Sequence, residues 1–206
     1  MSTIPLTRKA ASEEKAQHIR DAVSAAQNLS GLARLARQDD ADILAELLPD
    51  PKISQAIYTL PNDMNKKSVT AFIDQHLKER EAGMGLLMIS VDDTNRVTAY
   101  HDIQFWPEWS ACELGGAIRT DSQNSGQGGA GALAAFTWLF EVIGVDLICE
   151  TAALENVRTA RLLERIGFEY KGDIVSELPD GGTRPSRYWE LSKEVWQSGE
   201  FKSALK

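Results

Sequence analysis

The residues with the clearest potential for chemistry lie in one glycine-rich segment past the middle of the chain. The segment consists of Ser125, Gly126, Gln127, Gly128, Gly129, Ala130 and Gly131, and an apolar helical pattern follows it. Glycines between a strand and a helix leave successive backbone N–H groups free to point at an anion. Such a helix start attracts phosphate through its unpaired donors and the positive end of its dipole. The segment therefore predicts a phosphate-binding loop.

The same glycines also match a dinucleotide pattern, Gly126-x-Gly128-x-x-Gly131. Glu150 stands at the predicted end of the next strand, where a ribose-binding acid would lie. Against this interpretation, the strands before the loop read as a meander that opens no βαβ unit. The loop also starts well after the strand that ends at Arg119. An NAD(P)-dependent oxidoreductase stays open as an alternative.

Hydrophobic periodicity predicts the elements that would position this loop. Helices are expected from Ser12, after Asp39, from Ser68 to Arg80, from Ala132 to Ile143 and after Asn156. Strands are expected at 32–35, 86–91, 97–105, 112–119, 145–149, 168–175 and 187–191. The order of elements implies a mixed α/β fold, with a mostly antiparallel mixed sheet and helices on both faces.

Length and composition fit one main domain with an N-terminal addition. The 206 residues, 43% of them apolar, suffice for one substantial core. Residues 1–30 are predicted to be a helical extension, and residues 31–206 to be the domain itself. The alanine-rich stripe of the extension would pack on its own domain or on a second subunit, so a homodimer is possible.

Charge and cysteine usage exclude several classes of partner. The formal net charge of -8, from 30 acidic and 22 basic residues, argues against nucleic acid and suits a cationic substrate such as an amine. Cys112 and Cys149 lie in apolar runs without metal-ligand spacing, so no metal site is expected. No run approaches the roughly 20 apolar residues of a membrane span, and no secretory signal is recognisable. We expect a cytoplasmic protein without a membrane partner.

The second half of the chain carries a series of motifs in a fixed order. They are Glu113-Leu-Gly115-Gly-Ala-Ile118, Gly126-Gln-Gly128-Gly-Ala130, Ala132-Leu133, Phe140, and Asn156-Val-Arg-Thr159 followed by Leu163 and Gly167-Phe168. In order and spacing they resemble the GNAT superfamily of acetyltransferases, and within it the branch similar to RimJ and RimL, which acetylates ribosomal-protein N-termini. The resemblance implies the GNAT fold, acetyl-CoA as acyl donor, and direct transfer to an amine in a ternary complex. The chain departs from the pattern at Ser125, where the family usually has Arg or Gln.

The resemblance also implies roles for individual residues. The cofactor-binding set would be Ile118, Arg119, Ser125, Gly126, Gln127, Gly128, Gly129, Ala130, Gly131 and Asn156. Glu113 would be the catalytic base, with Glu150 as second choice and a purely structural carboxylate as the alternative for Glu113. The tyrosine that often protonates the thiolate is replaced by Leu163, so that role falls to Thr159 or is vacant. Because this tyrosine is missing, a noncatalytic acyl-CoA binding or regulatory domain stays open as an alternative.

Clues to the acceptor amine are fewer. The aromatic segment 105–109 includes Glu108, and aromatic rings beside an acid can hold a cation, although packing explains them equally well. Tyr188 and Trp189 in the last strand allow the same two interpretations. The histidines His18, His76 and His101 are predicted to have no partners.

Overall fold

One sheet of eight strands organises the computed structural model, which describes residues 4–54, 57, 59–61, 63–122, 127–178 and 181–199. The strands are β1 (Asn28–Leu29), β2 (Ala33–Leu35), β3 (Gly85–Val91), β4 (Val97–Trp106), β5 (Ala111–Ile118), β6 (Leu147–Ala153), β7 (Glu169–Glu177) and β8 (Thr183–Ser192). Their order in the sheet is β1-β2-β3-β4-β5-β6-β8-β7. Only β5 and β6 pair in parallel; the other neighbours are antiparallel. The predicted mixed, mostly antiparallel sheet is confirmed.

Helices cover both faces of this sheet. In the described residues they are α1 (Glu13–Ala25), α2 (Ala41–Leu47), α3 (Pro51–Ser54), α4 (Lys66–Glu81), α5 (Gln127–Trp138), α6 (Val157–Ile166) and α7 (Lys193–Ser198). A π-helical turn, Leu139–Ile143, prolongs α5 up to Gly144, whose φ of 87° suits glycine. Among the described helices, none is both long enough and apolar enough to span a lipid bilayer.

The two faces of the sheet contribute to two separate apolar cores. Side chains of a strand alternate between faces, and on β3 Leu86 and Met88 join one core while Leu87 and Ile89 join the other. The first core also contains residues of α1, α5 and α6, and the second contains residues of α2 and α4. The helices therefore bury their apolar stripes on opposite sides of one sheet.

The N-terminal helix α1 begins where the sequence predicts. The hydroxyl of Ser12 caps it by accepting from the N–H of Lys15 at 3.2 Å. Ile19 and Val23 are fully buried in the core that α5 and α6 also line. The helix thus packs on its own chain, whereas the division into an extension and a domain at residue 30 stays a prediction.

The start of α2 differs from the sequence prediction. The sequence predicts that Asp39 caps this helix, but a 3₁₀ turn precedes α2. The buried carboxylate of Asp40 makes the hydrogen bonds at this turn instead. It accepts from the N–H of Arg37 at 2.7 Å and pairs with the guanidinium of Arg34 at 2.7 Å. Two adjacent aspartates look alike in sequence, and the position of Arg34 decides between them.

Strand β6 is longer than its apolar run suggests. The run from Val145 to Cys149 predicts a strand that ends before Glu150, but β6 continues to Ala153. The backbone of β8 pairs with β6 along its whole length, from Leu147 to Ala153. Glu150 is therefore held in mid-strand, and its expected place at the end of the strand is wrong.

Helix α5 begins earlier than expected, at Gln127 instead of Ala132. Glycine weakens a helix by up to about 1 kcal/mol per residue, so the sequence reads as a loop there. Packing of Phe136 and Phe140 in the core stabilises the helix nevertheless. Together β5, α5 and β6 form a parallel βαβ unit, and the expectation that no such unit opens after the meander is wrong.

We predict that Gly116 in β5 tolerates no side chain. Its φ is +139°, and an added Cβ would lie 2.2 Å from the carbonyl oxygen of Tyr100. Gly116→Ala is expected to lower the free energy of unfolding by more than about 4 kcal/mol, measured by urea denaturation. Gly172→Ala is the matched control, because Gly172 has a φ of +115° with nothing within 4 Å, and backbone strain alone costs about 1–3 kcal/mol. Equal losses in the two variants would contradict the steric clash.

Candidate functional site

A cleft opens where β5 and β6 part. The parallel pairing covers only the positions from Ala111 to Glu113 on β5 and from Leu147 to Cys149 on β6. Beyond them, β5 stays paired with β4 and β6 stays paired with β8. The resulting cavity has a volume of about 580 Å³ and is lined by both strands. Beyond Glu113, no strand within the described part of the chain pairs with β5 on the side away from β4.

Glu113 lies at the point of separation, with only 9% of its surface exposed. The hydroxyl of Thr151 on β6 donates to its Oε1 at 2.6 Å. This bond fixes the carboxylate across the gap between the two strands. Both residues line the cleft, so the sequence choice of Glu113 as a site residue is compatible with its position, and its role stays a prediction.

Glu150 brings a second buried carboxyl group to the same cleft. Successive side chains of a strand alternate, so Glu150 and Thr151 point to opposite faces of β6. Burial raises the pKa of Glu150 well above the usual range, and the nearby charge of Glu113 raises it further. A carboxylate with a raised pKa is a stronger base than an ordinary glutamate, so the two acids together can accept a proton in this cleft.

Asn156 and Thr159 form the N-terminal end of α6 and also line the cleft. The side-chain oxygen of Asn156 accepts from the backbone N–H of Thr159 at 3.1 Å, which confirms the predicted helix cap. This bond uses the oxygen of the amide group and leaves its two N–H donors for other partners. The hydroxyl of Thr159 sits one turn into the helix, where its predicted catalytic role is not contradicted.

The remaining predicted cofactor residues belong to the part of the sequence between the end of β5 and the first turns of α5. Ile118 ends β5, and Ser125 and Gly126 lie outside the described residues. The backbone of α5 starts with Gln127, Gly128, Gly129, Ala130 and Gly131. An added Cβ at Gly129 or Gly131 would meet nothing within 4 Å, so a ligand has room to approach. The first N–H groups of a helix lack internal acceptors, so a helix start can bind an anion as the predicted loop would. The anion site itself stays a prediction.

The backbone N–H and the side chain of Arg119 are both bonded to β4, and its predicted role in cofactor binding stays a prediction. Its N–H donates to the carbonyl of Thr98 at 2.7 Å, and its Nε donates to the carbonyl of Val97 at 2.7 Å. Both bonds tie it to β4. Its Nη2 is buried and has no hydrogen-bond partner among the described residues.

A histidine–aspartate pair on another wall of the cleft escaped the sequence analysis. Nε2 of His76 on α4 lies 3.0 Å from Oδ1 of Asp102 on β4, so the expectation that His76 has no partner is wrong. Oδ2 of Asp102 accepts from the hydroxyl of Thr59 at 2.8 Å. The signal was available, because His76 continues the apolar spacing of Phe72 and Ile73 and a histidine on a buried stripe needs a polar partner.

The N-terminal segment of the chain closes one side of the cleft. Ile4 lines the cleft and is buried against Tyr188. The backbone N–H of Leu6 donates to the hydroxyl of Tyr188 at 3.1 Å, and that of Thr7 donates to Oε1 of Glu190 at 2.8 Å. Tyr188 is therefore a buried support for this segment rather than an exposed acceptor contact.

Only part of the predicted aromatic segment reaches the cleft. Trp106 lines it, whereas Phe105 is fully buried in the core. The ring of Trp109 lies beneath the guanidinium of Arg8, 5.8 Å from the ring centroid. The described residues contain no group of three or more His, Cys, Asp or Glu side chains that could hold a metal ion.

The chain is similar to known proteins both in its sequence pattern and in its fold. The family model described as acetyltransferase (GNAT) domain matches residues 32–169. No curated protein gave a significant sequence match. Among solved structures, RimJ from Mycobacterium smegmatis in complex with CoA-disulfide is similar, with a TM-score of 0.68 and 14% identity over 84% of this chain and 88% of that one.

Two further solved structures are similar at comparable levels. Ribosomal-protein-S5-alanine acetyltransferase from Vibrio fischeri has a TM-score of 0.66 and 15% identity, covering 80% of this chain and 93% of that one. A mutant of spermidine N-acetyltransferase from Vibrio cholerae has a TM-score of 0.64 and 15% identity, covering 80% and 96%. At these identities the likeness shows a shared fold.

Proposed function

This chain belongs to the GNAT acetyltransferase family and is an acyl-CoA N-acyltransferase, and we propose that it moves the acetyl group of acetyl-CoA to a primary amine. The acceptor would be a protein N-terminal α-amine or a small-molecule amine. The observation that carries the proposal is the parting of β5 and β6, which brings the inner edge of β5, the start of α6 and two carboxyl groups to one cleft. The family match favours acyl transfer over the dinucleotide interpretation.

The cleft and the start of α5 together would hold the parts of the donor. The pyrophosphate would lie at the start of α5, near Gly129 and Gly131, where helix N–H groups bind anions. The pantetheine arm would run between β5 and β6 and bond to backbone groups of β5 from Gly115 to Ile118. The amide of Asn156, on the far side of the cleft, would bond to the same arm. Backbone N–H groups of β5 would also stabilise the oxyanion.

Transfer needs a neutral amine, an acceptor for its proton and a proton for the thiolate. The nitrogen attacks the thioester carbon, the C–N bond forms and the C–S bond breaks. We assign the amine proton to the pair Glu113 and Glu150, and the thiolate proton to the hydroxyl of Thr159, which regains it from solvent. Freeing a lysine-type amine at neutral pH costs about 4–5 kcal/mol, whereas an α-amine costs about 1 kcal/mol. A weak base in the cleft therefore favours an α-amine.

The proposed function predicts amine-dependent release of free thiol from acetyl-CoA. We expect turnover with part of a panel of alkylamines, polyamines and peptides with free N-termini, measured with a thiol reagent. Acetyl-CoA and CoA should also raise the melting temperature, because a ligand of the native state stabilises it by mass action. Tight binding without turnover on any amine would favour a noncatalytic acyl-CoA-binding domain. A thermal shift with NAD(P) alone would overturn the proposal.

A second prediction distinguishes the two roles of Asn156, as the cap of α6 and as a proposed contact of acetyl-CoA. Asn156→Asp keeps an oxygen for the N–H of Thr159 but loses the amide donors, whereas Asn156→Ala loses both. We expect both variants to weaken acetyl-CoA binding about tenfold by calorimetry, and only Asn156→Ala to lose about 1 kcal/mol of stability. Ser12→Ala removes the cap of α1 and does not alter the lining of the cleft, so it should lose stability with an unchanged dissociation constant. Normal binding by Asn156→Asp would remove this amide from the site.

A third prediction concerns the proton acceptor. Glu113→Gln and Glu150→Gln are each expected to lower kcat about a hundredfold or more. In the wild type, the pH–rate profile should have a rising limb whose apparent pKa lies above the ordinary pKa range of a glutamate. The reason is that burial and the charge of Glu113 raise the pKa of Glu150. That limb should disappear in Glu150→Gln. Glu169→Gln, at an exposed position of β7, is the control, and an unaltered pH–rate profile in either cleft variant would exclude that residue.

A further inference from the structure

His76 and Asp102 form a buried pair on the wall of the cleft that no step above uses. His76 is 8% exposed and Asp102 is 9% exposed. Besides its contact with Asp102 at 3.0 Å, the ring of His76 places Nδ1 at 2.9 Å from the carbonyl oxygen of Phe72. Asp102 is bonded in turn to the hydroxyl of Thr59. The pair therefore connects α4, β4 and the segment before α4.

The geometry requires an extra proton on the pair. A carbonyl oxygen only accepts, so Nδ1 of His76 must carry a proton to bond to Phe72. Nε2 then needs a second proton if Asp102 is ionised, because an ionised carboxylate also only accepts. The arrangement is thus an imidazolium facing a carboxylate, or its neutral equivalent with the proton on Asp102. Either form is lost when this proton leaves.

The charges around the pair favour the ionised form. Burial by itself would lower the pKa of His76, but the hydrogen bond and charge of Asp102, the carbonyl of Phe72 and the charge of Glu79 raise it to about 8. Oε2 of Glu79 lies 3.8 Å from Nε2 on the same helix. From β4, the buried phenol of Tyr100 stays neutral, because burial and the charge of Asp102 raise its pKa. Glu113 faces the cleft from β5.

The pair stands beside the path of the acyl donor. Asp102 is registered opposite Gly115, and Gln104 is registered opposite Glu113. By strand alternation these four residues share one face, so Asp102 and Glu113 lie on the same side of the parting strands. A Cβ added at Gly115 would approach the Cβ of Asp102 to 3.9 Å, and glycine at this position leaves the aspartate uncovered toward the cleft.

We propose that His76 is a positioning residue for acetyl transfer, holding Asp102 as an oriented carboxylate that receives the ammonium group of the acceptor. The inference rests on the proposed function and names one contact of its acceptor. Asp102 spends two of its four lone-pair sites on His76 and Thr59, and the other two remain for the N–H donors of an ammonium group. The acceptor would then pass its proton to the pair Glu113 and Glu150 and attack the thioester carbon as a neutral amine.

The sign of the pH effect follows from the proton count. Below about pH 7 the imidazolium holds Asp102 in place, and as pH rises through about 8 the proton passes to solvent. The lone pair of Nε2 then faces the carboxylate and repels it. The KM of the acceptor should therefore rise across this range in the wild type, while the KM of acetyl-CoA stays constant.

The test compares the wild type with His76→Gln from pH 6 to pH 9. Glutamine can still donate to Asp102 but does not titrate, and the ratio of the two acceptor KM values cancels the titration of the acceptor itself. We expect His76→Gln to raise the acceptor KM about tenfold below pH 7, with the difference disappearing toward pH 9. His18→Gln, at an exposed position of α1, should match the wild type throughout. Melting temperatures with acetyl-CoA check that each variant folds.

Asp102→Asn provides a second test of the inference if His76→Gln does not fold. It keeps the shape but removes the charge, and we expect a raised acceptor KM that no longer depends on pH near 8. A ratio independent of pH, or an equal rise in the KM of acetyl-CoA, would reduce the pair to a structural tie between α4 and β4 and overturn the inference. If the wild type releases no thiol with any amine, the proposed function fails as well. If thiol is released but the ratio of the two acceptor KM values does not change with pH, only the proposed role of His76 is wrong.

Discussion

The parting of β5 and β6 is the constraint on which the rest of the site depends. A strand in a sheet satisfies its backbone on both sides, so two neighbours separate only if something else bonds to the exposed groups. Here each strand keeps its outer neighbour, β4 or β8, along the whole length of the split. The sheet therefore loses only the hydrogen bonds between β5 and β6 beyond Glu113. A cleft with polar groups in its walls opens there. A ligand with its own amide groups can restore the missing bonds.

The split also makes two faces of the sheet available to one reaction. Helices α5 and α6 lie on the side of the first core, where the helix start and Asn156 can hold a long anionic donor. Helix α4 lies on the other side and carries His76 into the same cleft. In an intact sheet the backbone would separate groups that lie on opposite faces. Through the gap, the proposed donor would reach an acceptor bound on the opposite face.

The sequence predicted the architecture well because periodicity and helix caps are local. The meander, the helix capped by Asn156 and the N-terminal helix from Ser12 all follow from patterns within a few residues. The errors arise where distant partners decide. Glu150 became a mid-strand residue because β8 pairs alongside it. The glycines after 127 became helical because the apolar face of α5 is buried in the core.

The buried acids illustrate why a site is harder to predict than a fold. Glu113 could be proposed from its place in a motif, but its bond to Thr151 joins residues 38 positions apart. The partner of His76 lies 26 positions away on another element. Burial of several acids in one cleft disfavours full ionisation, because each charge raises the cost of the next. A protein that keeps such acids together loses stability unless a proton, an imidazolium or a cationic ligand compensates them. The acidity of this cleft is therefore itself an argument for a substrate that arrives with a positive charge.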